Sequence, residues 1–212
     1  MSRGIGLFGG TFDPIHTAHL RLARALRDEL DLAEVRLIPA GNPYHRSEQP
    51  GADAAHRLAM VEAAIAGEPR LVADDREVRR DRPAYTVETL EELRAELGST
   101  VPLWLLIGGD SLATLDRWQR WEELFKLANL AVALRPGFSA DALPPAVAQH
   151  WQARQVSDFP NQAASGTIRA LTLPPVDVSA TAIRTRLQAG GPADGQVPDA
   201  VLAYIARHGL YR

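Results

Sequence analysis

Short apolar runs alternate along the chain with segments in which apolar residues recur at helical spacing. A short apolar run bounded by turn residues is typical of a buried strand, and such runs occur at 5–8, 35–38, 71–73, 103–107, 130–134 and 168–173. After the first run, Leu22, Leu26 and Leu30 stand four residues apart and predict an amphipathic helix. Similar patterns predict helices at 53–67, 86–97, 117–128, 179–189 and 198–208, and a shorter one around 145–154.

This alternation predicts an α/β fold with an open parallel sheet and helices on both faces. The chain contains no internal repeat, low-complexity tract or linker, so we expect a single domain over 1–212. A chain of this length can bury about 70% of its unfolded surface in one domain. The segment 137–166 has little periodicity beyond the short helix and is interpreted as a surface excursion.

The composition excludes several classes of protein. A net charge of −3 and a pI of about 6.1 argue against a nucleic-acid or membrane-surface partner, which requires a basic footprint. No apolar run approaches the roughly 20 residues of a membrane span, and no signal-peptide pattern is present, so a cytoplasmic protein is expected. The absence of cysteine excludes disulfides and thiolate catalysis. The single lysine, Lys126, has no glycine-rich loop beside it, which excludes a Walker-type phosphate loop.

The most informative chemistry lies between the first strand and the first helix, where residues 9–20 read GGTFDPIHTAHL. Gly9 and Gly10 allow backbone amides to approach a phosphate, because no Cβ stands in the way. His16 and His19 are three residues apart in the first helical turn, so both imidazoles are expected to point the same way. The free amides and the positive dipole end of the helix favour an anion there. This arrangement predicts a pocket for a polyphosphate.

Other interpretations of this region are open. The glycines from Gly4 to Gly9 fit a dinucleotide fingerprint only weakly, because the second strand ends without the acidic residue that would hold a ribose. The histidine pair could supply two metal ligands, but no nearby carboxylate offers a third. Asp13 could equally have a structural role, with Pro14, in the turn and the cap at the helix start, or it could contact a ligand.

Further polar signatures follow the carboxyl ends of other predicted strands, where open α/β sheets bind ligands. Ser179, Thr181 and Arg184 begin a helix and suit phosphate oxygens, although Ser179 could be a plain N-cap. Asp110 follows Gly108 and Gly109 and could contact a ligand or cap a helix.

Three further features have simpler interpretations. His45 and Arg46 lie in a loop rich in turn residues and fit a solvated turn as well as a ligand site. The segment 74–82 mixes both signs of charge and is interpreted as a solvated face. Trp118 and Trp121 are expected in the core more often than in a ligand platform.

The run at residues 9–20 closely resembles the signature of the nucleotidyltransferases with an HxGH motif. Within them the chain is similar to the bacterial nicotinate-nucleotide adenylyltransferases, with Ala18 in place of the motif's glycine and Tyr44 in place of a second proline before His45. The resemblance covers nearly the whole chain and implies a Rossmann-like form of the sheet. It is carried by the 9–20 run and by Ile38-Pro39 to His45-Arg46, Tyr85-Thr86, Ile107 to Asp110, Trp118, Arg135-Pro136-Gly137, Ser179 to Arg184, Tyr204-Ile205 and Leu210-Tyr211.

The family joins nicotinate mononucleotide to the AMP part of ATP, giving deamido-NAD and pyrophosphate, with Mg²⁺. The resemblance implies that His16, His19 and Arg184 are catalytic and hold the ATP phosphates with Ser179 and Thr181. It places Gly9, Gly10, Thr11, Gly108 and Asp110 on ATP as well. It assigns nicotinate mononucleotide to His45, Arg46, Thr86, Val87, Trp118 and Gln119.

The chemistry of such a reaction suits this residue set. The mononucleotide phosphate is already a nucleophile at neutral pH, so positioning and hydrogen-bond donors are enough for in-line attack on the α-phosphorus. Mg²⁺ is expected to travel with ATP, without a direct protein ligand. Three alternatives are transfer to another phosphate such as phosphopantetheine, a non-catalytic nucleotide sensor, and a tRNA ligase, which the pI and the single lysine disfavour. The oligomeric state is open.

Overall fold

Six strands form one sheet in the order β3-β2-β1-β4-β5-β6. The computed structural model describes residues 3–41, 50–134, 137–157, 163–171 and 178–212. The sheet consists of β1 (Ile5–Gly10), β2 (Glu34–Pro39), β3 (Leu71–Ala73), β4 (Leu103–Gly108), β5 (Asn129–Ala133) and β6 (Ile168–Leu171). The pairs β1·β4, β4·β5 and β5·β6 are parallel. The predicted α/β class with a Rossmann-like parallel sheet is therefore confirmed.

Helices separate most of the strands. They are α1 (Thr17–Glu29), α2 (Ala54–Ile65), α3 (Thr86–Leu97), α4 (Gly109–Leu112), α5 (Leu124–Leu127), α6 (Pro145–Arg154), α7 (Ala180–Gln188) and α8 (Asp199–His208). Short 3₁₀ turns occupy Leu115–Arg117, Trp121–Glu123 and Ala140–Ala142. In the part of the chain that the structure describes, no helix is both long and apolar enough to cross a membrane.

The central strand β4 explains why the sheet is parallel. Its residues from Leu103 to Ile107 are all buried, whichever face they point to. A strand that is apolar on both faces needs cover on both sides, which is the situation in parallel sheets with helical crossovers.

The helix predicted at 117–128 is wrong. Trp118 has an extended backbone, and Arg120 adopts the left-handed conformation with φ of 52°. These two residues divide the segment into two 3₁₀ turns and the short helix α5. The apolar spacing identified the buried side of the segment, but it carries no information about a break in the backbone.

Two surface interpretations also need correction. The excursion predicted over 137–166 contains α6 as expected, but Val147 and Trp151 of that helix are buried in the core. In the 74–82 segment, the Asp74 side chain is only 9% exposed and forms ion pairs with Arg76 at 2.8 Å and Arg36 at 3.7 Å. Only part of the segment, including Arg79, Asp81 and Arg82, is exposed.

The chain divides into two compact units. Unit 1 comprises Met1–Phe8, Ala25–Val35 and Tyr85–Pro175, and unit 2 comprises Gly9–Arg24, Arg36–Ala84 and Val176–Arg212. Each unit contains fully buried apolar side chains, for example Leu103 and Leu124 in unit 1 and Ile15 and Met60 in unit 2. The single domain over 1–212 stays a prediction.

Candidate active site

The histidine pair lies at the start of α1. His16 immediately precedes the helix, and its carbonyl accepts hydrogen bonds from the amides of His19 at 3.0 Å and Leu20 at 3.3 Å. The two imidazole rings stack, with centroids 3.7 Å apart and planes 19° from parallel. The expectation that both rings point the same way is therefore confirmed. His16 itself stands one residue before the helix rather than in its first turn.

Burial sets the protonation state of this pair. Burial lowers the pKa of His16 to about 4. The pKa of His19 lies well below its ordinary value, first because of burial and then because of the nearby charge of His16. Both imidazoles are therefore neutral at pH 7 and can approach an anion as N–H donors.

The local hydrogen bonds orient His19 and leave one atom of His16 available. The backbone amide of His16 donates to Nδ1 of His19 at 3.3 Å, which places the proton of that ring on Nε2. The ring of Phe12 packs edge-on against His19 at 5.0 Å. Nδ1 of His16 is buried and has no hydrogen-bond partner among the described residues. A buried polar atom of this kind fits a site that receives a ligand or water.

Arg184 brings the second predicted phosphate element to the first. One guanidinium nitrogen, Nη1, donates to the backbone carbonyl of Asp13 at 2.9 Å, only three residues before His16. Its Nη2 lies 3.4 Å from the hydroxyl of Thr181. The hydroxyl of Ser179 accepts from the amide of Ala182 at 3.1 Å, so Ser179 is the N-cap of α7. The two elements, far apart in sequence, therefore meet within unit 2.

Asp13 is the centre of a buried hydrogen-bond cluster. Its side chain is 1% exposed. The carboxylate accepts from the amides of Gly51 at 2.8 Å and Ala52 at 3.1 Å, and from the hydroxyl of Tyr211 at 2.7 Å. These contacts favour the structural interpretation of Asp13 over a direct ligand contact.

Arg57 is a residue that sequence reasoning missed. It is 1% exposed and donates to the carbonyls of Thr11 at 2.7 Å, Gly41 at 2.9 Å and Ala52 at 3.2 Å. The only available signal was its place on the buried stripe of α2 with Met60, because a charged residue on such a stripe needs polar partners. Arg57 fixes the backbone of the loop that leads to the histidines.

The two glycines are the last residues of β1 rather than part of a turn. A Cβ at Gly10 would lie 2.9 Å from the Phe12 ring, so a side chain there would clash. A Cβ at Gly9 would meet nothing within 4 Å in the part of the chain that the structure describes. Gly9 therefore borders open space, while Thr11, two residues further along the chain, is buried.

Unit 1 contains a cavity beside the predicted nucleotide residues. Gly108 occupies the N-cap of α4 and Asp110 lies in the first turn, so the N-cap alternative for Asp110 is wrong. The cavity has a volume of about 280 Å³, near the lower end of the range for ligand pockets. Its lining residues are Gly109, Asp110, Ala113, Gly137, Phe138, Ser139, Ala142 and Leu143.

The predicted nicotinate residues of unit 1 occupy two segments. Thr86 and the buried Val87 open α3, whose N-cap residue Tyr85 makes no side-chain capping bond. Backbone amides at the start of a helix suit a carboxylate. Trp118 is half-buried and Gln119 is exposed.

The predictions for the two tryptophans and for the loop with His45 and Arg46 have different outcomes. The core interpretation is wrong for both tryptophans, because Trp118 and Trp121 are only half-buried. His45 and Arg46 lie outside the described residues. The prediction that the residues of both units share one site stays a prediction.

A family model and named relatives match most or all of the chain. A family model described as cytidylyltransferase-like matches residues 7–186. A protein of Chromobacterium violaceum named "Probable nicotinate-nucleotide adenylyltransferase" is 66% identical over 212 residues, covering 100% of each chain. A protein of Laribacter hongkongensis with the same name is 61% identical over 208 residues, covering 98% of this chain and 94% of its own.

A solved structure has the same fold. Nicotinic acid mononucleotide adenylyltransferase of Plasmodium falciparum, complexed with NaAD, superposes with a TM-score of 0.75 at 16% identity, covering 99% of this chain and 97% of its own. The match of the family model defines the class, and the chain belongs to the cytidylyltransferase-like family. Within that class, its identity to these relatives over nearly their whole length places it among the nicotinate-nucleotide adenylyltransferases.

Proposed function

We propose that this protein transfers the adenylyl group of ATP to nicotinate mononucleotide, giving nicotinate adenine dinucleotide and pyrophosphate. The reaction is a step of NAD biosynthesis. The observation that carries this proposal is the stacked pair of His16 and His19 at the start of α1, with Arg184 bonded to the backbone three residues before it. The names of the relatives supply the substrate.

The phosphate end of the site lies in unit 2. His16, His19 and Arg184 act as catalytic donors to the ATP phosphates, and Ser179 and Thr181 at the start of α7 add hydroxyls and amides. Gly9, Gly10 and Thr11 line the path of the phosphates. The open space beside Gly9 supports this assignment, because phosphate oxygens need close access to the backbone there.

Catalysis requires no covalent intermediate and no general base. An oxygen of the mononucleotide phosphate attacks the α-phosphorus of ATP and forms the new P–O bond. The bond from that phosphorus to the bridging oxygen breaks, and pyrophosphate leaves with the electron pair. His16 and His19 donate N–H hydrogen bonds and Arg184 adds positive charge where negative charge grows, which lowers the barrier.

We also propose that Mg²⁺ enters with ATP. Of the three proposed phosphate donors His16, His19 and Arg184, the two imidazoles are neutral and only Arg184 is positively charged. A triphosphate bound there therefore keeps excess negative charge, which suits a divalent ion. The described ranges contain no group of three or more histidine, aspartate or glutamate side chains placed to hold a metal. When bound, the ion would supply positive charge that neutralises the leaving pyrophosphate. His16, His19 and Arg184 then orient the phosphates.

The remaining substrate groups belong to unit 1 and to the loop after β2. We assign Gly108 and Asp110 to the adenosine part of ATP, which the cavity beside Asp110 supports. Nicotinate mononucleotide contacts His45, Arg46, Thr86, Val87, Trp118 and Gln119. The amide of Val87 at the start of α3 and the amide of Gln119 suit the nicotinate carboxylate and favour the acid over the amide. We place the reaction in the cytoplasm, without a nucleic-acid or membrane partner.

Measuring pyrophosphate release with Mg-ATP and three acceptors tests this function. We expect release with nicotinate mononucleotide, weaker release with its amide, and none with phosphopantetheine. Preference for phosphopantetheine would indicate a different transferase. Binding of ATP without release for any acceptor would indicate a nucleotide sensor. A His208→Ala variant, changed at an exposed histidine of α8, controls for nonspecific effects of losing an imidazole.

A further inference from the structure

We propose that Tyr211, next to the last residue of the chain, is a positioning residue that holds Arg184 in place through Asp13. This inference rests on the phosphate role proposed above for Arg184. It gives the C-terminal segment after α8 a part in the reaction, although that segment lies almost 200 residues from the loop it contacts.

The contacts of Tyr211 indicate a fixed position. Its side chain is buried, with 6% of the residue exposed, and its hydroxyl donates to Oδ1 of Asp13 at 2.7 Å. Its φ of 58° lies in the left-handed region, which residues with a Cβ seldom adopt. Gly209, also left-handed, ends α8 and turns the chain toward this contact. A side chain held in an unfavourable backbone conformation needs contacts that compensate, and the Asp13 bond is one of them.

The Tyr211 hydroxyl is a permanent donor. Burial raises the pKa of Tyr211, and the hydrogen bond to Asp13 and its negative charge raise it further. The proton therefore stays on the phenol throughout the pH range of an enzyme assay.

Asp13 connects Tyr211 to Arg184. Nη1 of Arg184 lies 2.9 Å from the carbonyl oxygen of Asp13 and 3.6 Å from its Oδ2. The backbone and the side chain of one residue therefore both contact the guanidinium. Rotation of the Asp13 carboxylate about its Cβ–Cγ bond would change the distance from Oδ2 to Nη1 of Arg184. The hydrogen bond from the Tyr211 hydroxyl to Oδ1 opposes that rotation.

The side chains of Tyr211 and Arg184 both pack against the backbone at Gly51. A Cβ at Gly51 would lie 3.0 Å from Cε1 of Tyr211 and 3.2 Å from Cδ of Arg184. The phenol ring and the arginine stem therefore pack on one residue, whose amide also donates to Asp13. Tyr211 limits the movement of Arg184 by packing as well as by its hydrogen bond.

A double-mutant cycle tests this inference. Wild type, Tyr211→Phe, Arg184→Ala and the double variant are assayed for pyrophosphate release with Mg-ATP and nicotinate mononucleotide. We expect Tyr211→Phe to lower kcat about tenfold in the wild-type background and less than twofold in the Arg184→Ala background. The KM for nicotinate mononucleotide should stay unchanged, because the effect is confined to the phosphate end.

Tyr204→Phe is the matched control. Tyr204 lies on α8, and its hydroxyl contacts Nδ1 of His56 at 2.9 Å rather than Asp13. We expect unchanged kcat for this variant. Thermal unfolding of all variants separates loss of turnover from loss of fold. Equal loss of kcat from Tyr211→Phe in both backgrounds would assign Tyr211 a structural role and overturn the inference.

A second readout separates this inference from the proposed function. The same four proteins are titrated with Mg-ATP by calorimetry, which needs no turnover. We expect Tyr211→Phe to raise the Kd for Mg-ATP about fivefold in the wild-type background alone. If wild type binds Mg-ATP but releases no pyrophosphate, the proposed function fails and the calorimetric cycle still decides on Tyr211. Additive effects on Kd overturn the inference.

Discussion

Two side-chain clusters hold the segments that we assign to substrate, and they differ in how deeply they are buried. In unit 2 the Asp13 carboxylate accepts hydrogen bonds from backbone amides and from Tyr211, and it is 1% exposed. In unit 1 Arg120, next to Gln119, donates to Glu91 at 2.6 Å and to Glu123 at 2.5 Å, and its side chain is 41% exposed. Both clusters contain short charged contacts, but only the first is shielded from water.

The difference in burial indicates what the proposed phosphate end and the proposed nicotinate end of the site each require. Backbone amides are fixed partners, whereas Glu91 and Glu123 are flexible side chains that water and salt can replace. Transition-state contacts lose their value when donors move by about an ångström, so the phosphate end needs a buried support. Recognition of the nicotinate ring contributes to binding and tolerates more movement. We therefore expect damage in unit 2 to lower kcat, and damage at Arg120 to raise KM.

The strongest test of this contrast removes one imidazole. We expect His16→Ala or His19→Ala to lower turnover by about 10²–10³, the scale for the loss of one donor to a developing negative charge. Steady-state pyrophosphate release measures this effect, with His208→Ala as the control. Near-normal turnover in either variant would remove that histidine from the catalytic role.

The buried pair should also make stability depend on pH. The pKa of His16 falls from about 6.5 in the unfolded chain to about 4 in the folded one. Below pH 6.5 the His16 imidazole is protonated in the unfolded state but stays neutral in the folded state. The free energy of unfolding contributed by His16 is therefore fully present above pH 6.5 and decreases as the pH falls toward 4. The loss from His16 reaches about 3 kcal/mol.

Urea unfolding of wild type and His16→Gln between pH 7.5 and 4.5 measures this loss. The wild-type free energy of unfolding should fall more steeply, because the carboxylates and His19 titrate in both proteins and only wild type also carries the buried imidazole of His16. Parallel curves for the two proteins would show that His16 is not buried as a neutral ring.

A smaller effect is expected from Asp13→Asn. The amide keeps one acceptor oxygen but turns an NH₂ group toward buried donors, which should lower the free energy of unfolding by about 2 kcal/mol and also reduce kcat. Chemical denaturation and the turnover assay measure the two effects. Asp31→Asn, at a side chain that is 55% exposed, should change stability by less than about 0.5 kcal/mol. Equal destabilisation by the two variants would contradict the contrast in burial.

The smallest effect is expected from Arg120→Ala. Its partners are exposed, so the KM for nicotinate mononucleotide should rise by less than about threefold, with kcat and the melting temperature unchanged. High salt should reproduce most of this change in wild type, because salt screens exposed charges. A large loss of kcat would show that this cluster supports the chemical step after all.

Local patterns predicted much of this fold. The helix predicted at 86–97 is α3, Thr86–Leu97, and the strand at 71–73 is β3, because turn chemistry and periodicity are local properties of the sequence. The helix at 117–128 failed because the left-handed backbone of Arg120 leaves no trace in the apolar spacing.

Long-range contacts were the other gap. The histidine pair was found from a local motif, but Arg57 resembles any arginine on a helix until its carbonyl partners are known. The bond from Tyr211 to Asp13 joins residues 198 positions apart, and no local pattern reports such a contact.

The neutral state of the two imidazoles has a consequence for selectivity. A site that attracts anions mainly by charge accepts any small anion, whereas hydrogen-bond donors reward only oxygens that stand at the correct angle and distance. Inorganic anions such as sulfate should therefore be weak competitors of ATP. Discrimination begins with the shape of the polyphosphate, before the base or the nicotinate ring is recognised.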